Sequence, residues 1–293
     1  MRILAKNTRK IKNMEKSLKF LLAEHKLTLK KAFGQNFLTD ENLLAEIVDK
    51  AGVESGDTVI EIGCGAGALT RELAKKAGRV IGFEIDERLK PVLAQTLDGL
   101  SNVKIVFKDI MKIGVRDLEK EIGGEYKIVA NLPYYITTPI VMNFIENATA
   151  LKSMSIMVQE EVADRFSANP ATADHGAITV AINLRGSAKT VLKVPREKFT
   201  PVPNVDSAVV KIDIEKGKFA GADLKTVREI VRVAFSSRRK MLVNNLINGF
   251  KFTREQAEKA ISDAGISLTA RGETLSAEEY IKLTESVKRV KNG

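Results

Sequence analysis

Residues 57–148 repeat one beat, strand then loop then helix, and few folds accept that beat. Short apolar, β-branched runs stand at Asp57–Ile62, Arg79–Phe83, Val103–Phe107 and Lys127–Ala130. Helical spacing of apolar residues follows the first at Leu69, Leu73, Ala74 and Ala77, and the last from Thr138 to Ile145. Strands alternating with helices predict a doubly wound, mostly parallel α/β sheet. In such a sheet the carboxyl ends of the strands share one edge, and ligands bind there. Ser153–Gln159 reads as a fifth strand running into a helix at Glu160–Phe166, and Asp174–Leu184 reads as helical. Val205–Ile214 reads as a last strand, hairpin-like with the segment before it and forming an antiparallel edge.

The residues at these strand tips carry the chemistry. The first strand runs into Gly63-Cys64-Gly65-Ala66-Gly67-Ala68 at a helix start, where glycines let a ligand approach the backbone. The second ends at Glu84, placed to accept from ribose hydroxyls. The third ends at Asp109, which suits either an adenine amino group or a helix cap. Gly63, Gly65 and Ala68 also fit the dinucleotide fingerprint, so a nicotinamide or flavin enzyme stays open as an alternative. Two details favour a nucleoside-amino acid over a pyrophosphate. Glu61 stands two residues before the first glycine, where an acid suits an ammonium group, and the turn has G-x-G-x-G spacing. Cys64 reads as a small turn residue, with no base nearby in sequence to activate it. No glycine loop ending in Lys-Ser/Thr is present, which disfavours a nucleotide triphosphatase.

The fourth strand ends at Asn131-Leu132-Pro133-Tyr134. An amide, a locked carbonyl and an aromatic face together suit methylation of a planar exocyclic amine. Such a nitrogen is a poor nucleophile because its lone pair is delocalised into the ring. The Asn131 side-chain oxygen and the Pro133 carbonyl are the expected acceptors for its two hydrogens, and Tyr134 the expected stacking face. The plainer alternative is a turn in which Pro133 ends the strand and Asn131 satisfies backbone groups. Upstream, Gln35 and Asn36 lie between Phe33 and Phe37, which leaves ligand contact and close packing both open. Downstream, Phe199-Thr200-Pro201-Val202-Pro203 makes a rigid loop that offers Phe199 either to a base or as a buried anchor.

Charge and composition narrow the class. The chain of 293 residues carries a net charge of +10. Residues 1–31 hold ten Lys/Arg against Glu15 and Glu24, and Arg238-Arg239-Lys240 form a second dense spot. Basic segments bind polyanions by counterion release, although a solvated basic surface looks the same in sequence. One Cys excludes a disulfide framework and fits a reducing cytoplasm; two distant His residues make a metal site unexpected. No apolar run has the length of a membrane span. The expected division is a basic arm over 1–31, an α/β domain over 32–215 and a small helical domain over 216–293. In the last, a long helix from Leu224 to Asn248 is interrupted near Phe235-Ser236, and two more cover 253–264 and 277–288.

Together and in this order, the motifs resemble the ribosomal RNA adenine N6-dimethyltransferases of the KsgA (RsmA) type. The resemblance runs from Gly34-Gln-Asn-Phe-Leu38 through Glu61-Ile-Gly-Cys-Gly-Ala-Gly-Ala-Leu-Thr70, Glu84-Ile-Asp86, Asn131-Leu-Pro-Tyr134 and Gln159-Glu-Glu-Val-Ala163. It continues through Phe199-Thr-Pro-Val-Pro-Asn-Val-Asp-Ser207 to Phe235-Ser-Ser-Arg-Arg-Lys240. It implies a class I, Rossmann-like methyltransferase sheet and S-adenosylmethionine as donor, held at Asn36, Leu38, Gly63, Gly65, Glu84, Asp109 and Asn131. It implies as substrate two adjacent adenines near the 3′ end of 16S rRNA, each methylated twice in an immature 30S subunit. Asn131, Pro133 and Tyr134 would hold the amine, Phe199 would stack on the flipped adenine, and Arg238, Arg239 and Lys240 would bind RNA. A cytoplasmic monomer with no metal and no membrane is expected. Cys64-Gly65-Ala66 departs from the family's usual Pro-Gly-Leu while keeping the glycine. Similar enzymes that methylate one adenine of 23S rRNA and confer macrolide resistance are the nearest alternative. A non-catalytic RNA-binding assembly factor is another.

Overall fold

The computed structural model describes residues 37–292. The basic arm and the expected donor contact Asn36 lie outside the described residues. The chain divides into two compact units. One runs to Ala163 and resumes over Lys189–Asp213; the other comprises Asp164–Ala188 and the chain from Ile214 onward.

The first unit contains nearly all of the sheet. Its strands, in chain order, are β1 (Phe37–Leu38), β2 (Thr58–Ile62), β3 (Arg79–Glu84), β4 (Val103–Phe107), β5 (Tyr126–Asn131), β6 (Leu151–Gln159), β7 (Gly186–Val194), β8 (Phe199–Thr200) and β9 (Ser207–Ile214). Seven of them order as β4-β3-β2-β5-β6-β9-β7, and β1 pairs separately with β8. From β4 to β6 every pair is parallel. The central strands accordingly read as near-continuous apolar runs, since helices cover both faces of a parallel sheet. Val59, Ile60, Val80, Ile81, Ile128 and Val129 are all buried. The chain builds outward from β2 to β3 and β4, then returns to place β5 on the other side of β2. The strand order therefore reverses between β2 and β5, and a crevice opens beyond their carboxyl ends.

Against this sheet packs the helix Glu41–Ala51, through Leu43, Leu44, Ile47 and Val48. Asp40 caps it, accepting from the amides of Asn42 at 3.1 Å and Leu43 at 3.3 Å. As expected, the last strand lies beside the strand before it in the sheet, at its antiparallel end. β9 lies between β6 and β7, antiparallel to β6 with Gln159 opposite Ser207, so the edge falls to β7. β7 escapes a reading by apolar runs because an edge strand mixes exposed and covered residues, here with Ser187, Lys189 and Lys193 exposed.

In the second unit the helices Leu224–Ala234, Leu242–Phe250, Arg254–Asp263 and Ala277–Asn292 surround Val227, Ile230, Leu246, Tyr280 and Leu283. The expected break near Phe235 is a seven-residue connection, 235–241. The short helix Ala177–Asn183 shares this core through Val180. That places 164–188 with the later helices, whereas the sequence division at 215 puts it with the sheet. Helical periodicity shows that a face is buried; it does not show against what.

Candidate active site

Glycine backbone begins the site. Gly63 and Gly65 stand at the end of β2 with φ of 78° and 54°, in the left-handed region that residues with a Cβ rarely adopt. The turn they form brings the Gly65 amide to 2.8 Å from Glu84 Oε2, at the tip of β3. Glu84 Oε1 accepts from its own strand end, from the amides of Ile85 at 2.8 Å and Asp86 at 2.9 Å. One carboxyl thus ties two strand tips together. It is buried, and burial pushes it above the usual carboxylate range despite these three amides.

Glu61 lies deeper, at 1% exposure, with Oε2 lacking a hydrogen-bond partner. Burial first and the Glu84 charge second push its pKa up to about 8. The Thr70 hydroxyl is near enough to temper that rise, but no hydrogen bond of normal geometry joins the two. A buried acid without a partner facing a cavity is a site for a cationic group, because an ammonium there would restore the carboxylate. Cys64 is buried, its Sγ 3.6 Å from the Phe83 carbonyl, and burial raises its thiol pKa. That fits a packed turn residue and not a nucleophile.

The cavity between these tips measures about 270 Å³. Leu38, Gly63, Gly65, Glu84, Asp109, Asn131, Pro133 and Tyr134 all line it, so eight of the expected site residues meet at one place. Asp109 also caps the turn after β4, its Oδ1 accepting from the Met111 amide at 3.0 Å. The cap foreseen for it is present, and a carboxylate has capacity for a further donor.

Two expected members take other roles. The Pro133 carbonyl accepts from the Ile136 amide at 3.1 Å and the Thr137 hydroxyl at 3.2 Å. The helix begins at Tyr134, ahead of the Thr138 start expected, and draws this oxygen into its first turn. With both acceptor directions used, the Pro133 carbonyl does not serve the amine. Phe199 is 2% exposed, packs in the apolar core with Leu38, Leu44 and Val209, and does not line the cavity. The pairing of Leu38 with Phe199 in β1–β8 fixes it there as an anchor.

Tyr134 is half-buried, and its hydroxyl lies 2.8 Å from Ser207 Oγ at the start of β9. The sequence reading missed Ser207 as its partner and missed Tyr135, which lines the same cavity at 68% exposure. The Tyr-Tyr doublet was the available signal.

In the second unit the basic triplet splits. The Arg238 guanidinium donates to the carbonyls of Ala173 at 2.6 Å and His175 at 3.3 Å, and pairs with Glu273 at 3.4 Å. Asn245 holds the same connection through the carbonyls of Ala234 at 2.7 Å and Ser237 at 3.1 Å. Arg239 and Lys240 are exposed. Arg238 thus fastens the connection that presents the other two.

Comparison with known proteins decides the family. Residues 26–289 match the model of the ribosomal RNA adenine dimethylases. The chain belongs to that family. It is 44% identical to the ribosomal RNA small subunit methyltransferase A of Shouchella clausii, over 91% of this chain and 92% of that protein. It is 43% identical to the protein of the same name from Bacillus licheniformis, over 93% and 96%. Among solved structures it resembles 23S rRNA methyltransferase ErmE, with a TM-score of 0.67 and 29% identity over 86% of this chain and all of that one. A dimethyladenosine transferase from Plasmodium falciparum superposes with a TM-score of 0.74 at 24% identity, over 87% and 98%, and shows the shared fold. The sheet is the Rossmann-like sheet of S-adenosylmethionine-dependent methyltransferases. As a member of this family the chain is a methyltransferase whose acceptor is adenine in ribosomal RNA.

Proposed function

We propose that the chain dimethylates N6 of two adjacent adenines near the 3′ end of 16S rRNA, with S-adenosylmethionine as donor. It acts as a cytoplasmic monomer on an immature 30S subunit. The observation that carries this reading is the cavity wall itself: two buried acids, Glu61 and Glu84, and the Asn131 amide line one space across the strand-order reversal. The similarity to small-subunit enzymes over most of the chain favours 16S over 23S rRNA as substrate.

The cavity fits the donor by the chemistry of its walls. Glu61, buried and lacking a partner at Oε2, matches an ammonium; Glu84 matches ribose hydroxyls; Asp109 matches an adenine amino group. When bound, the donor supplies a methyl group on a positively charged sulfur. The protein's part is to aim the acceptor. Asn131 Oδ1 accepts one amine hydrogen. The other is assigned to the carbonyl of Leu132, the residue before Pro133 and part of the same cavity wall. Both oxygens turn the nitrogen lone pair toward the methyl group and stabilise the positive charge that develops on nitrogen. The methylated cation then releases its proton to water at the open mouth. Tyr134, fixed through Ser207, bounds the base.

The test is transfer of tritiated methyl from S-adenosylmethionine to 30S particles lacking the modification, with 50S particles alongside. Label on 30S alone, mapped to dimethyladenine, is expected. Label on 50S would move the reading to the 23S enzymes. Donor binding without label on either particle would leave a different substrate or a non-catalytic RNA-binding factor.

A further inference from the structure

Seven large apolar side chains are exposed among the described residues, and three of them, Ile85 at 59%, Met111 at 37% and Tyr135 at 68%, line this one cavity. Single exposed apolar residues are ordinary, but a cluster at the mouth of a site marks a surface that a ligand covers. The sheet order separates the three. Ile85 and Met111 follow the tips of β3 and β4, on the side of β2 that carries Glu84 and Asp109. Tyr135 follows the tip of β5, on the side that carries Asn131. It therefore belongs to the acceptor half of the cavity.

Its neighbour cannot do its work. Successive helical residues point about 100° apart. Tyr134 turns inward to Ser207, so Tyr135, one residue on, turns to solvent. Phe199, the other aromatic expected to meet a base, is sealed in the core. Among the described residues Tyr135 is thus the exposed aromatic on the acceptor side, beside a cavity mouth to which Lys108 adds positive charge. Drawing one adenine out of a strand strips its neighbour of a stacking partner. An aromatic face at the mouth replaces that partner, and does so for any base because every base has a π-face.

We propose that Tyr135 is the stacking platform for the base flanking the target adenine, and so a positioning residue for the RNA; this rests on the adenine-methylation reading above. A platform at one place on the mouth meets the other adenine when one of the two is methylated and a different neighbour when the second is; stacking on the base face accepts both. The test measures methyl transfer to unmodified 30S particles by the wild type, Tyr135→Ala and Tyr135→Phe, with donor affinity measured for each. Tyr135→Ala is expected to raise KM for particles about ten-fold. Its kcat should stay within about two-fold and its donor affinity should not change, which also shows that the variant is folded. Tyr135→Phe keeps the ring and should restore the wild-type KM. An unchanged KM in Tyr135→Ala, a fall confined to kcat, or an equal defect in Tyr135→Phe would overturn the proposal. Absence of transfer by the wild type would instead overturn the methylation reading on which it rests.

Discussion

The two sides of the cavity are built by different means. On the β2–β3 side the backbone is locked: one carboxyl, Glu84, takes three amides from two strand tips, and glycines admit the left-handed φ that the turn needs. On the β5 side the ties run to the following helix and to a distant strand. The Pro133 carbonyl is held by the helix and Tyr134 by Ser207, while Tyr135 stands in solvent. A small donor with several polar groups rewards a rigid, preorganised site. A nucleotide drawn from a large RNA needs an open mouth and only a few well-aimed acceptors. The difference teaches that donor binding and acceptor aiming are separable in this molecule, and substitutions should separate them.

The largest separation is expected at Asn131. Asn131→Ala should lower the rate of transfer by about a hundred- to a thousand-fold, with donor affinity close to wild type by calorimetry. Glu84→Ala should do the reverse. Losing a charged acceptor should weaken donor binding by at least about ten-fold, and turnover at saturating donor should survive. Phe199 probes whether the acceptor side includes the core behind it. Phe199→Ala should cost about 3–5 kcal/mol in denaturant unfolding, whereas Phe199→Leu should fold and turn over nearly as the wild type. A specific loss of transfer in Phe199→Leu would return that ring to the site.

At Glu61 the expected effect depends on pH. Its folded-state pKa, about 8, lies above the reference of 4.5. Its stabilising contribution is therefore complete below pH 4.5 and lost as pH rises toward 8, at about 1.4 kcal/mol per pH unit. Glu61→Gln should flatten that part of the stability–pH curve and weaken donor binding. Smallest is the expected effect of replacing Arg239 and Lys240 by Ala. It should reduce RNA affinity and flatten its salt dependence by about one to two in slope without lowering Tm. Arg238→Ala should lower Tm, because its partners are the Ala173 and His175 carbonyls.

The donor side was legible in the sequence because each element is local. Strand, glycine turn and strand-tip acid follow one another, and sheet topology brings Gly63, Glu84, Asp109 and Asn131 to one edge. What the sequence hid depends on contacts between distant segments or on where a helix starts. Phe199 beside two prolines reads both as a base contact and as a buried anchor, and only its pairing with Leu38 decides for the anchor. The Pro133 carbonyl reads as available until the helix is seen to begin at Tyr134. Arg238 reads as one of three equal cations until the Ala173 and His175 carbonyls arrive from a segment far away in the chain.

The division between the two sides is tested most directly by one titration: the transfer rate to unmodified 30S particles against donor concentration, for Asn131→Ala and Glu84→Ala. The account predicts that saturating donor restores most of the wild-type rate to Glu84→Ala and none of it to Asn131→Ala. Recovery of Asn131→Ala at high donor, with Glu84→Ala staying slow, would contradict it.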